Sequence, residues 1–392
     1  MDEISLRQEI LKGEDSRRQF KREVTDASRL AAEVAAFLNT SGGQILVGVD
    51  DDGTILGLTP QQLGSLNQLV SNASTQHIQP SASILTENVS TTDGMVMVIT
   101  VENGADKPYQ TNDAFFWVKR GSDKRKVTSR SELQRMFQSG GAVYAEMQQA
   151  SGATIETLDL DAYVRFFKEK YQEDAPEDQE GLERVLTASR LMKDGILTTA
   201  GCLLFGRNPE QLLPEFCVKA VWYKGTDRAG TEFYDSRRFS GTLRQQYEES
   251  MAFLRRWNSR IQSGSSFNRA QAEIPEVVFE ELLTNALVHR DYFIHDSIKL
   301  LIFDDRIEIR SPGRLPNSLT VEAVRRGIRR ERNPVLSSFA YDVMNYRGLG
   351  SGMLRVLAAI PNLELQNDVE AEEVTVIIPI AAGQVPALGS EA

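Results

Sequence analysis

Residues 280–291 read EELLTNALVHRD, and how this stretch is read decides how the rest of the chain is read. On a helix, Glu281 and Asn285 stand four residues apart and share a face, with His289 one turn further along the same stripe. A carboxylate can orient or deprotonate a water that attacks a phosphate. An amide oxygen can hold a hard cation such as Mg²⁺. Taken alone, the spacing fits the solvent-facing stripe of an amphipathic helix better than a site, so the surrounding sequence has to decide.

Downstream, a strand pattern ends in Arg310-Ser-Pro-Gly-Arg-Leu-Pro316, and an arginine-dense run follows over residues 325–334 (RRGIRRERNP). Next comes Arg347-Gly-Leu-Gly-Ser-Gly352, leading into an apolar helix from Met353. A glycine-rich turn that opens a helix exposes backbone N–H groups and the positive end of the helix dipole, which together make a phosphate cradle. Such a turn is weak evidence by itself. In order with the Glu/Asn helix and the Pro-Gly turn it is much stronger.

This order of motifs resembles the GHKL (Bergerat-type) ATP-binding fold, and more narrowly its divergent branch fused to Schlafen-type domains in bacterial proteins. The resemblance implies a role for each matching residue. Glu281 corresponds to the base that polarises the hydrolytic water and Asn285 to the Mg²⁺ ligand. Gly348, Gly350 and Gly352 correspond to the phosphate-binding glycine box, and residues 323–346 to an ATP lid. His289, Gly313, Arg332 and Asn333 complete the expected nucleotide-binding set, Asn333-Pro334 matching a motif of this branch. One departure stands out: the turn Ser311-Pro-Gly313 has no aspartate where the wider family carries the one that reads adenine. No G-x-x-x-x-G-K-[ST] motif occurs, which excludes a P-loop ATPase.

The amino-terminal third carries a second set of motifs. GEDSRRQFKRE (13–23), AAFLNTSGGQILVGVDDDGTILGL (35–58) and FFWVKRGSDKRKV (115–127) occur in order. They resemble the Schlafen AlbA-like domain, which implies nucleic-acid binding and, in some animal relatives, RNA cleavage by a carboxylate triad. Glu14 falls at the first acid of that triad and Asp50 or Asp51 at the third, while Gln19 replaces the second. An amide removes a negative charge that a metal-dependent nuclease needs, so Glu14 and Asp50 are the candidate acids of an alternative reading only. For DNA or RNA binding the candidates are Arg17, Arg18, Lys21, Lys119, Arg120, Lys124, Arg125 and Lys126, since cations contact phosphates and nearby aromatics can stack on bases.

The expected fold is α+β: a Schlafen AlbA-like α/β domain over 1–140, an acidic linker and α/β connecting domain over 141–265, and a GHKL-like α/β sandwich over 266–382. Residues 383–392 read as a flexible tail. Secondary-structure signals place helices over 26–38 and 275–289, strands at 44–49, 54–58, 95–101, 114–119, 217–223 and 374–378, and a hairpin at 298–310.

Composition bounds the rest. The 392 residues are 41% hydrophobic and 25% charged, an ordinary globular balance. Of the net charge of −11, most lies in residues 141–180, which carry 10 acidic and 3 basic side chains; residues 1–140 carry 18 and 15. Local basic patches are therefore compatible with the acidic total. Two cysteines, Cys202 and Cys217, rule out a disulfide framework, and three histidines argue against a Cys/His zinc cluster. The opening residues show no secretory pattern and no apolar run is long enough to span a bilayer, so a cytoplasmic protein without membrane contact is expected. The combined expectation is an ATP- and Mg²⁺-binding, homo-oligomeric nucleic-acid-binding protein of the transcriptional-regulator type. The rivals are an ATP-controlled nuclease and a scaffold that has lost nucleotide binding.

Overall fold

Asp26 starts the central helix of the amino-terminal unit. Its carboxylate accepts the N–H of Ser28 at 2.8 Å and so caps an otherwise open helix end. The computed structural model describes residues 1–263, 274–316, 319–344 and 351–380. It divides into two units, Met1–Val143 and Tyr144–Ala392.

In the first unit, α1 (Glu3–Leu11) precedes β1 (Arg18–Lys21), and α2 (Ala27–Asn39) leads to β2 (Gly43–Val47). Every residue of α2 from Leu30 to Asn39 is buried. The helix breaks at the glycine pair because the chain must pass close to its neighbours there. Gly42 has φ +71°, and a Cβ on Gly43 would lie 2.5 Å from the Arg17 carbonyl oxygen. After α3 (Pro60–Gln76) and the short β3 (Ile78–Gln79) come β4 (Leu85–Thr91) and β5 (Gly94–Val101). The sheet order is β1-β2-β5-β4, with only β1 and β2 parallel. The strand expected at 54–58 does not form. Gly53 (φ +86°) and Gly57 (φ +73°) turn the chain, leaving isolated bridges at Ile55 and Leu58. The unit closes with β6 (Gln110–Thr111), the hairpin β7 (Trp117–Arg120) and β8 (Asp123–Lys126), and α4 (Arg130–Ser139).

The second unit opens with β9 (Gln149–Thr154), α5 (Leu160–Tyr171) and α6 (Gln179–Ala188). The acidic stretch is the solvated connection between these helices, with Glu173, Asp174 and Glu177 exposed. β10 (Met192–Lys193) and β11 (Ile196–Thr198) join β9 in a small sheet, and α7 (Thr199–Phe205) and α8 (Pro209–Leu212) follow. Then come β12 (Val218–Tyr223), β13 (Phe233–Phe239), α9 (Leu243–Ser263), α10 (Glu276–His289), β14 (Ile298–Ile302) and β15 (Arg306–Pro312). The chain continues through α11 (Val321–Arg325), α12 (Pro334–Met344), α13 (Gly352–Ala359), β16 (Glu364–Asp368) and β17 (Glu373–Pro379).

The large sheet has the order β13-β12-β14-β15-β17-β16. β12 lies parallel to β14, with Val218 opposite Ile298, so the sheet runs across the boundary drawn at residue 265. One apolar core serves residues on both sides of it, from Tyr163, Leu203 and Trp222 to Phe279, Leu300 and Ile378. Residues 144–263 are therefore structural partners of the carboxy-terminal motifs within one unit. Among the described residues, no helix is long and apolar enough to cross a membrane. The tail 383–392 lies outside the described residues.

Candidate functional site

α10 is apolar on most of its circumference: Val278, Phe279, Leu282, Leu283, Ala286, Leu287 and Val288 are buried. That packing leaves Glu281, Asn285 and His289 as the stripe that faces a cleft. The opposite side of the cleft is formed by the end of β15 and the following turn, by residues 324–332, and by the start of α13. Gly313, Arg332 and Gly352 all line it. Six expected site residues from four separate stretches thus meet at one cavity. Gly348 and Gly350 lie outside the described residues.

Two glycines are demanded by the geometry. Gly313 has φ +102°, and a Cβ there would lie 2.5 Å from Asp291 Cβ. A Cβ on Gly352 would collide with Glu281 Oε1, so no side chain fits between the start of α13 and that carboxylate. Arg332 ties the walls together: Nη1 donates to the His289 carbonyl at 3.2 Å and Nη2 to the Arg314 carbonyl at 2.5 Å. Ser311, in place of the missing aspartate, donates through Oγ to the Ala286 carbonyl at 3.2 Å.

The cleft favours an anion. Arg314, Arg329, Arg330 and Arg332 line it, against Glu281 as the carboxylate of the lining. Its walls are otherwise largely apolar, including Ile309, Leu315, Ile328, Met353 and Val376. An apolar slot with a few convergent polar groups suits a flat ring carrying a charged tail. Burial and the charges of Arg332 and Arg329 push His289 down to about 4, so its imidazole is neutral at pH 7. Burial raises Glu281, and Arg355, whose Nη2 stands 2.9 Å from Oε2, opposes that rise.

Asn333 does not line the cleft. Its side chain is fully buried, and Nδ2 donates to the carbonyls of Val288 and Arg290 at 2.8 Å each. It satisfies the carbonyl end of α10, where a helix leaves backbone acceptors unpaired. Next to it, Glu146 accepts the N–H groups of Val335 and Leu336 at 2.8 and 2.7 Å and so caps α12. Burial pushes this carboxyl up to about 7. Sequence reading missed Glu146 and Arg355. Arg355 could have been found as the basic residue three places after Gly352, on the first turn of the helix. Nothing local marks Glu146, whose partners lie almost two hundred residues away.

The amino-terminal candidates separate into two groups. Arg18 pairs with Glu9 and Asp15, Lys124 with Glu33 at 2.5 Å, and Arg125 with Glu132. Lys119 is buried, donating to Gln19 Oε1 at 2.7 Å and to the Ser122 carbonyl; burial pushes its ammonium down, with Glu33 and Glu14 opposing. Arg17, Arg120 and Lys126 are exposed and Lys21 is half-buried; the described residues place no carboxylate against these four. Lys126 lies over the Phe115 ring, 3.2 Å from its centroid. Phe116 packs on the small cluster of Val118, Val127 and Met136, while Phe115 is exposed. The nuclease candidates each engage other groups. Glu14 accepts from Phe20 N at 2.7 Å and from Gln19, whereas Asp50 is held by Arg22 at 2.5 and 2.6 Å. Among the described residues, no group of three or more His, Cys, Asp or Glu could hold a metal ion.

Residues 14–128 match the family model for Schlafen, AlbA_2, and residues 295–378 match the HATPase-type model described as "Putative ATP-dependent DNA helicase recG C-terminal". The chain therefore joins a Schlafen AlbA_2 segment, of a nucleic-acid-associated kind, to an ATPase-like segment. The second match begins after α10, so the placement of Glu281, Asn285 and His289 on the cleft comes from the structure. Among solved structures, the DIP2311 protein from Corynebacterium diphtheriae is similar over 96% of this chain and 69% of its own, at 20% identity and a TM-score of 0.45. The N-terminal domain of a "Putative ATP-dependent DNA Helicase RecG-related Protein" from Nitrosomonas europaea covers 32% of this chain and 94% of its own, at 21% identity and a TM-score of 0.25. No curated protein matches the chain.

Proposed function

We propose that the carboxy-terminal cleft binds Mg-ATP and hydrolyses it slowly, and that the protein is an ATP-dependent switch on DNA or RNA, of the transcriptional-regulator type. The observation that carries this reading is the convergence of Glu281, Asn285, His289, Gly313, Arg332 and Gly352 on one arginine-lined cavity. The apolar walls take the base, and the arginines with the start of α13 take the phosphates. Asn285 would hold Mg²⁺ through its side-chain oxygen, and the bound ion would neutralise charge on the phosphates. In the hydrolytic step a water oxygen bonds to the γ-phosphorus, its proton passes to Glu281, and the bond to the bridging oxygen breaks with its electron pair leaving on ADP. His289, being neutral, acts as a hydrogen-bonding wall of the cleft and carries no charge to the phosphates.

The amino-terminal unit binds the nucleic acid through Arg17, Lys21, Arg120 and Lys126. Binding is the better-supported reading over cleavage there, because Gln19 lacks the negative charge a metal would need and Arg22 already pairs with Asp50. ATP-dependent self-assembly would couple nucleotide state to nucleic-acid affinity. Glu281→Gln tests the enzymatic half: ADP release falls by at least about a hundredfold, the usual scale for removal of a general base, while ATP binding persists. Unchanged turnover in this variant would remove Glu281 from the reaction.

A further inference from the structure

The proposed base has a partner that neither the sequence motifs nor the family matches point to. Arg355 Nη2 donates to Glu281 Oε2 at 2.9 Å, and Arg355 Nη1 donates to Ser351 Oγ, also at 2.9 Å. Ser351 is the N-cap residue of α13, and Arg355 sits on that helix's first turn. The guanidinium therefore spans two elements, holding the start of α13 with one arm and the carboxylate on α10 with the other. Gly352 lies between them, and its missing side chain is what lets Glu281 Oε1 reach the backbone there.

The direction of the forces on Glu281 gives this contact a purpose. Burial raises the carboxyl, and the neighbouring Glu280 raises it further; Arg355 is what opposes both, by its charge and by its hydrogen bond. Without Arg355 the remaining influences push the same way, and Glu281 would keep its proton to higher pH. A protonated carboxyl cannot accept a proton from water. The planar fork of arginine also sets direction, because two N–H groups fixed in one plane can serve two acceptors at once.

We infer that Arg355 is a positioning residue for Glu281, holding its side chain as the carboxylate and aimed at the start of α13. This rests on the reading of Glu281 as the base, but the pair itself can be tested without nucleotide. The carboxyl of Glu281 is titrated by ¹³C NMR in the full chain, assigned by its loss in Glu281→Gln, and compared with Arg355→Ala and Arg355→Lys. Beside it, the pH profile of ATP hydrolysis is measured for the same proteins.

In Arg355→Ala the Glu281 midpoint moves to higher pH, and the acid limb of kcat moves with it while KM for Mg-ATP stays close to the wild-type value. Arg355→Lys restores the midpoint through its charge, yet leaves kcat reduced, since one ammonium does not reproduce the two-armed contact. Arg355→Met keeps the packing of the stem and gives the same titration if the alanine variant does not fold. A Glu281 midpoint unchanged in both Arg355→Ala and Arg355→Met overturns the inference. Failure of the wild type to hydrolyse ATP overturns the base reading alone, and the titration still decides the pair.

Discussion

The carboxy-terminal cleft and the amino-terminal basic surface are both rich in cations, yet they use them in opposite ways. In the cleft, Arg332 is held by backbone carbonyls, Arg329 pairs with Glu331 at 3.4 Å, and Arg314 and Arg330 line the same cavity, whose lining has one carboxylate. In the amino-terminal unit, half of the expected nucleic-acid contacts are consumed by internal partners: Arg18, Lys124 and Arg125 are paired with carboxylates, and Lys119 is buried in a polar network. A cation left facing a cavity marks a ligand site. A cation neutralised within its own unit stabilises the fold, and as an exposed pair only weakly.

The sharpest way to break this comparison is to fill the cleft from its own backbone. Gly352→Ala places a methyl group where Glu281 Oε1 now lies, so either the carboxylate or the start of α13 must move. ATP turnover should vanish altogether, with the fold intact by circular dichroism. Normal turnover in Gly352→Ala would show that the carboxylate and the helix start do not need to touch.

Next in size is the brace behind the cleft. Removing Glu146 leaves two buried N–H groups of α12 without an acceptor, at about 1–3 kcal/mol each. Glu146→Ala should lower the melting temperature strongly. Glu146→Gln tests its protonation. The folded carboxyl titrates near 7, above the ordinary 4.5, so folding takes up a proton between those values. The stability tied to that proton is fully present below about pH 4.5 and is lost as pH rises through about 7, on the order of 3 kcal/mol in total. The wild type should therefore lose stability over this window relative to Glu146→Gln. Parallel pH profiles for the two proteins would contradict the assignment.

A smaller effect separates the two halves of the basic surface. Alanine at Arg17, Lys21, Arg120 and Lys126 together should weaken nucleic-acid binding and flatten its salt dependence, the slope of log K against log salt dropping by roughly 0.7–0.9 for each phosphate that is no longer neutralised. Alanine at Arg18 and Arg125 should leave that slope unchanged. An equal drop in slope from both sets would show that the internal pairs open to meet the ligand.

What could be read from sequence divides along similar physical lines. α10 was legible because its apolar residues recur at helical spacing on a long segment, and the 298–310 hairpin because two apolar runs flank a short turn. β4 and β13 were not legible. They are sheet-edge strands, LTENVST and FYDSRRF, in which Val89 and Phe239 are the buried residues and the rest resemble loop. The cleft residues could be named because the motifs keep their order along the chain. Asn333 shows the limit of that method: a motif gives a residue its place in order, but not the direction of its side chain. Charge pairing was hidden for a different reason, since Lys124 and Lys119 both meet Glu33 across about ninety residues of chain. Net charge counted over a window cannot show which cations are already neutralised.

The central claim is that α10 and the arginine-lined cleft form a nucleotide site, and calorimetry with Mg-ATP on the wild type beside Asn285→Ala tests it most directly. The account predicts micromolar binding in the wild type, abolished or greatly weakened in the variant, with the same melting temperature for both unliganded proteins. No heat from either protein at ATP concentrations that would reveal a millimolar site, or equal binding by both, would contradict it.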